Sequence, residues 1–383
     1  HLLTSFPEDI KAELIKRDGA WYAFPSHMNS EDAREGIKVT ADITDRFLSH
    51  IVIKNCYVHD VTGTMSRKDT GGIFVTGNYN GVLIENNTVR DVYRSGILSR
   101  AKRNVVIRNN MVDSIGGDGI QVGGGSMSPL IEYNVAKDCY NRYTAGEYNV
   151  AIWPYDTNDA VLQYNEAYLT HNTLDGQGFD CDYMCNGTIF QYNYSHDNEG
   201  GFLLICNTGE TGMPENIGTN NTLIQGNISI NDGNRTKKIG TGFFSPSIHI
   251  SGPAKGSTLR HNIIHVTKKV NSDVQRCLLS ATQSYGDADS TTVCENLFYV
   301  AENSCFLLGN STNNFFKDNC YLGNIKNIPE DEGATYENKT YSNMIKNDLS
   351  GVESLKPFLH SVNTPTGELQ IVDSDAINSF FSK

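Results

Sequence analysis

Only ten prolines and two tryptophans occur in 383 residues, and one residue in five is charged. No apolar run approaches the roughly 20 residues that a membrane-spanning helix requires, which points to a soluble chain. Cations are the scarcer charge: 31 Lys and Arg stand against 44 Asp and Glu, for a net charge of -13. That balance excludes a nucleic-acid binder that works by neutralising phosphates, although one groove could still be locally basic. Nine cysteines lack any repeated close spacing, and Cys181 and Cys185 form neither a CxxC pair nor a zinc ribbon. Most are therefore expected to be small buried hydrophobes, with disulfides neither required nor surprising. The chain opens at His1 without a charged-then-apolar leader, so any export signal is expected to lie outside these residues.

Asparagine and glycine are abundant instead, at 40 and 35 residues. Both belong to turns and tight bends rather than to helix interiors. They fall in a repeat. IVIKNC (51–56), VLIENN (82–87), VVIRNN (105–110), PLIEYN (129–134), AVLQYN (160–165), TIFQYN (188–193), TLIQGN (222–227), STLRHN (257–262), TTVCEN (291–296) and NFFKDN (314–319) are short apolar strands. All but the first end in Asn, and Cys56 holds that place in the exception. A second strand follows each, as in GGIFV (71–75), SGILS (95–99), GDGIQV (117–122) and GGFLLI (200–205). A spacing of about 23 to 35 residues, with no 3.6-residue periodicity, predicts an all-β, right-handed parallel β-helix of about ten coils. Stacked coils share a continuous core, and the asparagines are placed to form hydrogen-bonded ladders at one bend.

The ends depart from the repeat. Residues 1–48 are read as a lead-in or cap with one helical stretch at 8–21, residues 49–320 as the solenoid, and 321–383 as a closing segment. No linker divides the chain, so one domain with irregular end caps is expected.

Coils between Asn134 and Asn296 are longer than about 23 residues, and their surplus must form loops that wall a groove. The longest loops are at 139–148, 207–220 and 231–246. Alternation along the second strand of each coil points Ile73, Ile97, Ile120, Ile152, Phe179, Phe202 and Ile248 inward. Phe74, Leu98, Gln121, Trp153, Asp180, Leu203 and His249 then face out, followed by Thr76, Arg100, Gly123, Tyr155, Asp182, Ile205 and Ser251. Trp153 and Tyr155 thus stand beside Asp180 and Asp182, with Arg100 and Gln121 to one side and His249 to the other. Aromatic rings stack on apolar sugar faces, and carboxylates move protons. Strand positions two apart are ~6.6 Å apart at the backbone, which suits the roughly 6.5–9.5 Å carboxyl spacing of inverting glycosidases. Asp is a poor strand residue, so two on one face suggest a task. A second dense cluster, YSHDNEGG (194–201), offers His196, Asp197 and Glu199 at a turn, with His196 or Glu199 in a supporting role. Asp118 and the Lys68–Asp69 pair occupy comparable turns.

The coil pattern over 51–320 resembles the pectate-lyase-like superfamily of right-handed β-helices, mostly secreted polysaccharide lyases and glycoside hydrolases. AIWPYDTNDAVLQYNEA (151–167), DGQGFDCDYMCNGTIFQYNYSHDNEGGF (175–202) and HISGP (249–253) are similar to Bacteroides-type β-helix proteins of glycan utilisation. The WIDH-type signature of pectate lyases is missing, as is a counterpart of the RIK motif that polygalacturonases carry beside NTD, GDD and GHG. The Asp180–Asp182 pair resembles the acidic motifs of the latter only loosely.

The resemblance and the residues together imply an exported bacterial glycoside hydrolase, monomeric and cofactor-free, acting on a poly- or oligosaccharide. Asp180 and Asp182 would be the acid and base, and Trp153 and Tyr155 the sugar platform. Arg100, Gln121 and His249 complete the expected substrate-binding set. A polysaccharide lyase would instead use Asp180 and Asp182 as Ca²⁺ ligands and Arg100 as base or clamp. A non-catalytic carbohydrate-binding or adhesive solenoid would need only the aromatics.

Overall fold

A single bend, repeated once per coil, organises the molecule. Asn86, Asn109, Tyr133, Tyr164, Tyr192, Gly226, His261, Glu295 and Asp318 all have φ between 52° and 65°. Each sits immediately before the asparagine that closes a repeat hexamer. One left-handed residue between two strands turns the chain sharply, and Asn or Gly takes that conformation with least strain. Where tyrosine takes it, the ring stacks on the next coil's tyrosine, at 5.1 Å for Tyr133–Tyr164 and 5.4 Å for Tyr164–Tyr192.

The computed structural model describes residues 35–382 apart from 42, 64–69, 143–147, 172–173, 210–217, 237, 239–242, 347 and 349, and the backbone of strands Ala12–Arg17 and Ala20–Pro25. The Lys68–Asp69 pair lies outside the described residues. Nearly all described strands form one parallel sheet wound into a solenoid with three faces. The first face carries strands such as Gln177–Cys181, Gly201–Cys206 and Ile248–Ser251. The second carries the repeat hexamers, for example Leu130–Glu132 and Ile189–Gln191. The third carries Val135–Cys139, Glu166–Tyr168 and Tyr194–His196.

The repeat asparagines make the expected ladder. Asn87, Asn110, Asn134, Asn165, Asn193, Asn227, Asn262, Asn296 and Asn319 are linked in turn, each Nδ2 donating to the next Oδ1 at 2.9–3.0 Å. Each Nδ2 also donates to a strand carbonyl of the preceding coil, as Asn165 does to Ile131 at 2.9 Å. The amides of the ladder are thereby hydrogen-bonded, which turns a polar row into a stabilising one. At the head, the Cys56 backbone N–H donates to Asn87; at the tail, Asn319 donates to Asp331. The coil-to-coil interval varies from 23 to 35 residues, yet the ladder never breaks. All surplus residues leave between bends as loops. Inside the ladder lies one apolar core, with Phe179 edge-to-face on Phe190 and Phe202. All nine cysteines are unpaired thiols, and seven are buried.

Two end features differ from the sequence-based expectation. The helix expected over 8–21 is replaced by antiparallel strands Ala12–Arg17 and Ala20–Pro25, the second pairing with residues 56–58 of the solenoid. Partnering of an exposed sheet edge overrides local helix propensity there, and AWYAFP is itself rich in strand-forming aromatics. Parallel pairing also extends outward to Ile37–Ala41 and Asp331–Glu332. Beyond it, the hairpin Leu359–Thr364 with Gly367–Val372 folds back along the third face, where Leu369 and Ile371 cover Val135. Helix Ser374–Phe381 follows, capped by Asp373. Among the described residues, no helix is long and apolar enough to cross a membrane.

Candidate active site

Parallel register fixes the outward stripe of the first face. Ile120 pairs with Ile152, Ile152 with Phe179, Phe179 with Leu203, and Leu203 with Ile248. These residues point into the core, so the next ones along, Trp153, Asp180, Leu204 and His249, line up on the outside. The expected phase is therefore off by one in a single strand: Leu204, not Leu203, neighbours Asp180, and Cys206, not Ile205, follows it. The reason is a bulge. Phe202 and Leu203 both donate their N–H to the carbonyl of Ser247, at 2.9 and 3.1 Å, and both are buried in the core, so strand alternation is broken between them.

Over this stripe lies a groove of about 620 Å³. Its floor holds Trp153, Asp180, Leu204 and His249, with Asp182 just past the end of the strand that carries Asp180. Loop residues Leu174, Asp175, Arg235 and Phe244 close one wall. Tyr148 and Tyr285, 54% and 57% exposed, stand on the rims, and Tyr285 meets Tyr183 edge-on at 6.2 Å. Arg235 is buried and ties two loops together, Nε donating to Phe244 O at 3.0 Å and Nη2 to Asp175 O at 2.6 Å. That bond holds Asp175 at the groove.

Electrostatics single out Asp180. Burial first, then the neighbouring carboxylates of Asp182 and Asp175, push its pKa well above the ordinary carboxylate value. It keeps its proton at a pH where exposed acids have lost theirs. His249 moves the opposite way. Burial and the charge of Arg235 pull it down to about 4, so it is a neutral imidazole facing the Thr282 hydroxyl at 2.9 Å. Among the described residues, the buried groove atoms Trp153 Nε1, Gln177 Oε1 and Asp180 Oδ1 find no hydrogen-bond partner. Buried polar atoms are rarely left so, and at a concave site they mark where a polar ligand or water binds.

Of the nine residues singled out from the sequence, Trp153, Asp180, Asp182 and His249 line the groove. Tyr155, Gln121 and Arg100 belong to the same face but lie outside the groove. Arg100 is three coils from Asp182, or about 14 Å at the strand spacing, and runs alongside Gly124. His196 is not beside Asp180, because its strand belongs to the third face. There its ring stacks between Tyr168 and Tyr194 at 4.5 Å each, and its nitrogens meet Glu166 and Asp197. Glu199 is buried at the turn, accepts from the Thr236 hydroxyl and faces His171 at 3.9 Å, which makes it a loop anchor. Asp175, Arg235 and the rim tyrosines were not singled out by the strand pattern, since loops carry no alternation from which a facing can be read. Asp118 does reach the groove, with Oδ1 accepting from Val150 N. Among the described residues, no three His, Cys, Asp or Glu side chains are grouped to hold a metal ion.

The family described as the right handed beta helix region matches residues 27–159 and again 71–270. This chain belongs to that family. As a right-handed β-helix protein it is similar to a lacto-N-biosidase of Bifidobacterium longum subsp. longum, 27% identical over 372 aligned positions. The match covers 81% of this chain and only 20% of that enzyme, so the chain spans about a fifth of its relative's length. Among solved structures it is similar to a GH136 lacto-N-biosidase from Eubacterium ramulus, at 22% identity and a TM-score of 0.42, covering 80% of this chain and 44% of the other. XylC in complex with xylose matches at 12% identity and a TM-score of 0.48, over 83% of this chain and 55% of that one.

Proposed function

We propose that this β-helix protein is a glycoside hydrolase that cleaves an oligosaccharide in the first-face groove. The observation that carries the reading is a proton-holding Asp180 on the groove floor, flanked by Asp182 and Asp175. Glycoside hydrolysis needs one carboxyl that arrives protonated and one that is ionised. Asp180 is the proton donor to the departing glycosidic oxygen. Asp182 is the second carboxylate, acting on the sugar carbon directly or through a water. Asp175, held by Arg235, keeps the donor's pKa high. Trp153 and the rim tyrosines stack on sugar faces, and the unpaired Trp153 Nε1 and Gln177 Oε1 meet hydroxyls. The 27%-identical lacto-N-biosidase supports the reaction class, and a lacto-N-bioside is the first substrate to try. Against the lyase alternative, Arg100 lies outside the groove, and the arginine within it, Arg235, is engaged with backbone carbonyls.

The test is digestion of a glycan panel that includes a chromogenic lacto-N-bioside, read for reducing ends, for ultraviolet-absorbing unsaturated ends and for product anomer. Reducing ends without unsaturation, turnover that persists in EDTA, and a loss of about 10²-fold or more in Asp180→Asn and Asp182→Asn are expected. Unsaturated products, or near-wild-type turnover in both variants, would overturn the reading.

A further inference from the structure

On a chain with a net charge of -13, one cavity outside the groove gathers four cations among its lining residues. It has a volume of about 620 Å³ and lies behind the groove wall: Phe244 faces the groove, and its neighbour Phe243 lines the second cavity. Lys238, Lys269, Lys326 and Arg276 surround it, against the single carboxylate of Asp273. Glu302 lines an adjoining cavity that shares Lys269 and Asn303. Among the described residues, none of the three lysines forms an ion pair with a carboxylate.

Arg276 gives this cluster a fixed floor. It is 6% exposed, and its terminal nitrogens donate to Asn234 Oδ1 and to the carbonyls of Thr267 and Lys268. Among the described residues its Nε has no hydrogen-bond partner. Burial pulls its pKa down to about 10, which leaves it charged at neutral pH. A buried, hydrogen-bonded guanidinium in one cavity with three ammonium groups is an arrangement that receives an oxyanion. The cavity is far larger than a bare sulfate, and Phe243, Gln275 and Asn303 offer a ring and two amides to whatever carries the charge.

We propose that this second cavity binds an oxyanion, a sulfate or carboxylate, borne on a sugar. It is separate from the groove carboxylates, and its occupancy does not depend on the hydrolase reading.

Isothermal titration of the full chain with a sulfated disaccharide, its unsulfated counterpart and inorganic sulfate tests this. The sulfated sugar should bind at least about tenfold more tightly than either control, with affinity falling as salt rises. The double variant Lys269→Ala/Lys326→Ala alters two accessible side chains and leaves Arg276 in place; it should melt normally and bind at least about tenfold more weakly. Cys305 lines the same cavity, and hydrogen bonding with Cys277, aided by Lys326, lowers its thiol to about 7. Its alkylation by iodoacetamide, followed by peptide mass mapping, should therefore slow when the sulfated sugar is bound. Equal binding of sulfated and unsulfated sugar, or an unaffected double variant, overturns the site. Binding without slowing at Cys305 also overturns it, because the ligand then sits elsewhere. Inorganic sulfate binding as tightly as the sulfated sugar overturns the sugar-borne part.

Discussion

Asp180 carries opposite demands. The folded chain holds its proton more tightly than the unfolded chain, whose carboxyl titrates near 3.8, so its contribution to stability falls as pH rises above that value. Asp180→Asn removes the burden, and its melting temperature at pH 7–8 should exceed that of the wild type by about 2 °C or more while turnover collapses. An Asn variant that melts lower would show that the ionised carboxylate holds the floor together. His196 runs the other way. Burial lowers its pKa, but Asp197 and Glu166 outweigh burial and raise it to about 9. Its ion pairs stabilise fully below the unfolded value of 6.5 and are lost as pH climbs through about 9. Melting curves from pH 7 to 10 should therefore fall more steeply for the wild type than for His196→Gln. The facing of Trp153, Asp180 and Asp182 was legible in the sequence because strand alternation is a local rule. The surroundings of His196 were not, because YSHDNEGG bridges two faces and nothing in that octamer says where the corner falls.

At the scale of elements, the strand Gly201–Cys206 shows what pattern reading misses. GGFLLI offers no polar residue to set its phase, so Phe202 and Leu203 are interchangeable until the Ser247 carbonyl accepts from both. The bulge rests on Gly201, which has φ of 125° and whose added Cβ would stand 2.1 Å from the Pro246 carbonyl oxygen. Gly201→Ala should cost about 2 kcal/mol or more in urea unfolding and should lower turnover by shifting Leu204 on the groove floor. Full turnover in a destabilised variant would separate the bulge from the groove. The N-terminal strands make the same point from the other direction. EDIKAELIKRDGAW reads as helix by itself, and only the presence of Cys56–Val61 as an open edge explains the hairpin.

For the whole molecule, the ladder is the feature most readable from sequence, because a residue of fixed type at a fixed step after an apolar triplet needs no tertiary knowledge. Asn165 makes four side-chain hydrogen bonds that reach both neighbouring coils. Asn165→Ala should remove about 2–4 kcal/mol, since it strands buried groups on either side. Amide hydrogen exchange should then show protection lost first in the coils that flank it. Uniform loss along the solenoid would mean that the coils open as one unit. Loop lengths, by contrast, say only that a wall exists; which loop residue faces the groove depends on anchors such as Arg235, spaced 60 residues from Asp175.

The fold-back of the C-terminal hairpin has a mechanical consequence. Thr366 donates to the carbonyl of Asn109, and the Gln370 N–H donates to Glu166, so the end of the chain is fastened to coils far upstream of its own. A solenoid pulled from its C-terminus would otherwise peel one coil at a time, each of 23 to 35 residues releasing roughly 80–120 Å of slack. Here the tether runs lengthwise over several coils, so the first tug shears the hairpin off the third face before any coil can unwind. A single-molecule trace should open with one rupture at higher force, followed by a sawtooth of weaker, unequal teeth whose lengths read out the coils in reverse order.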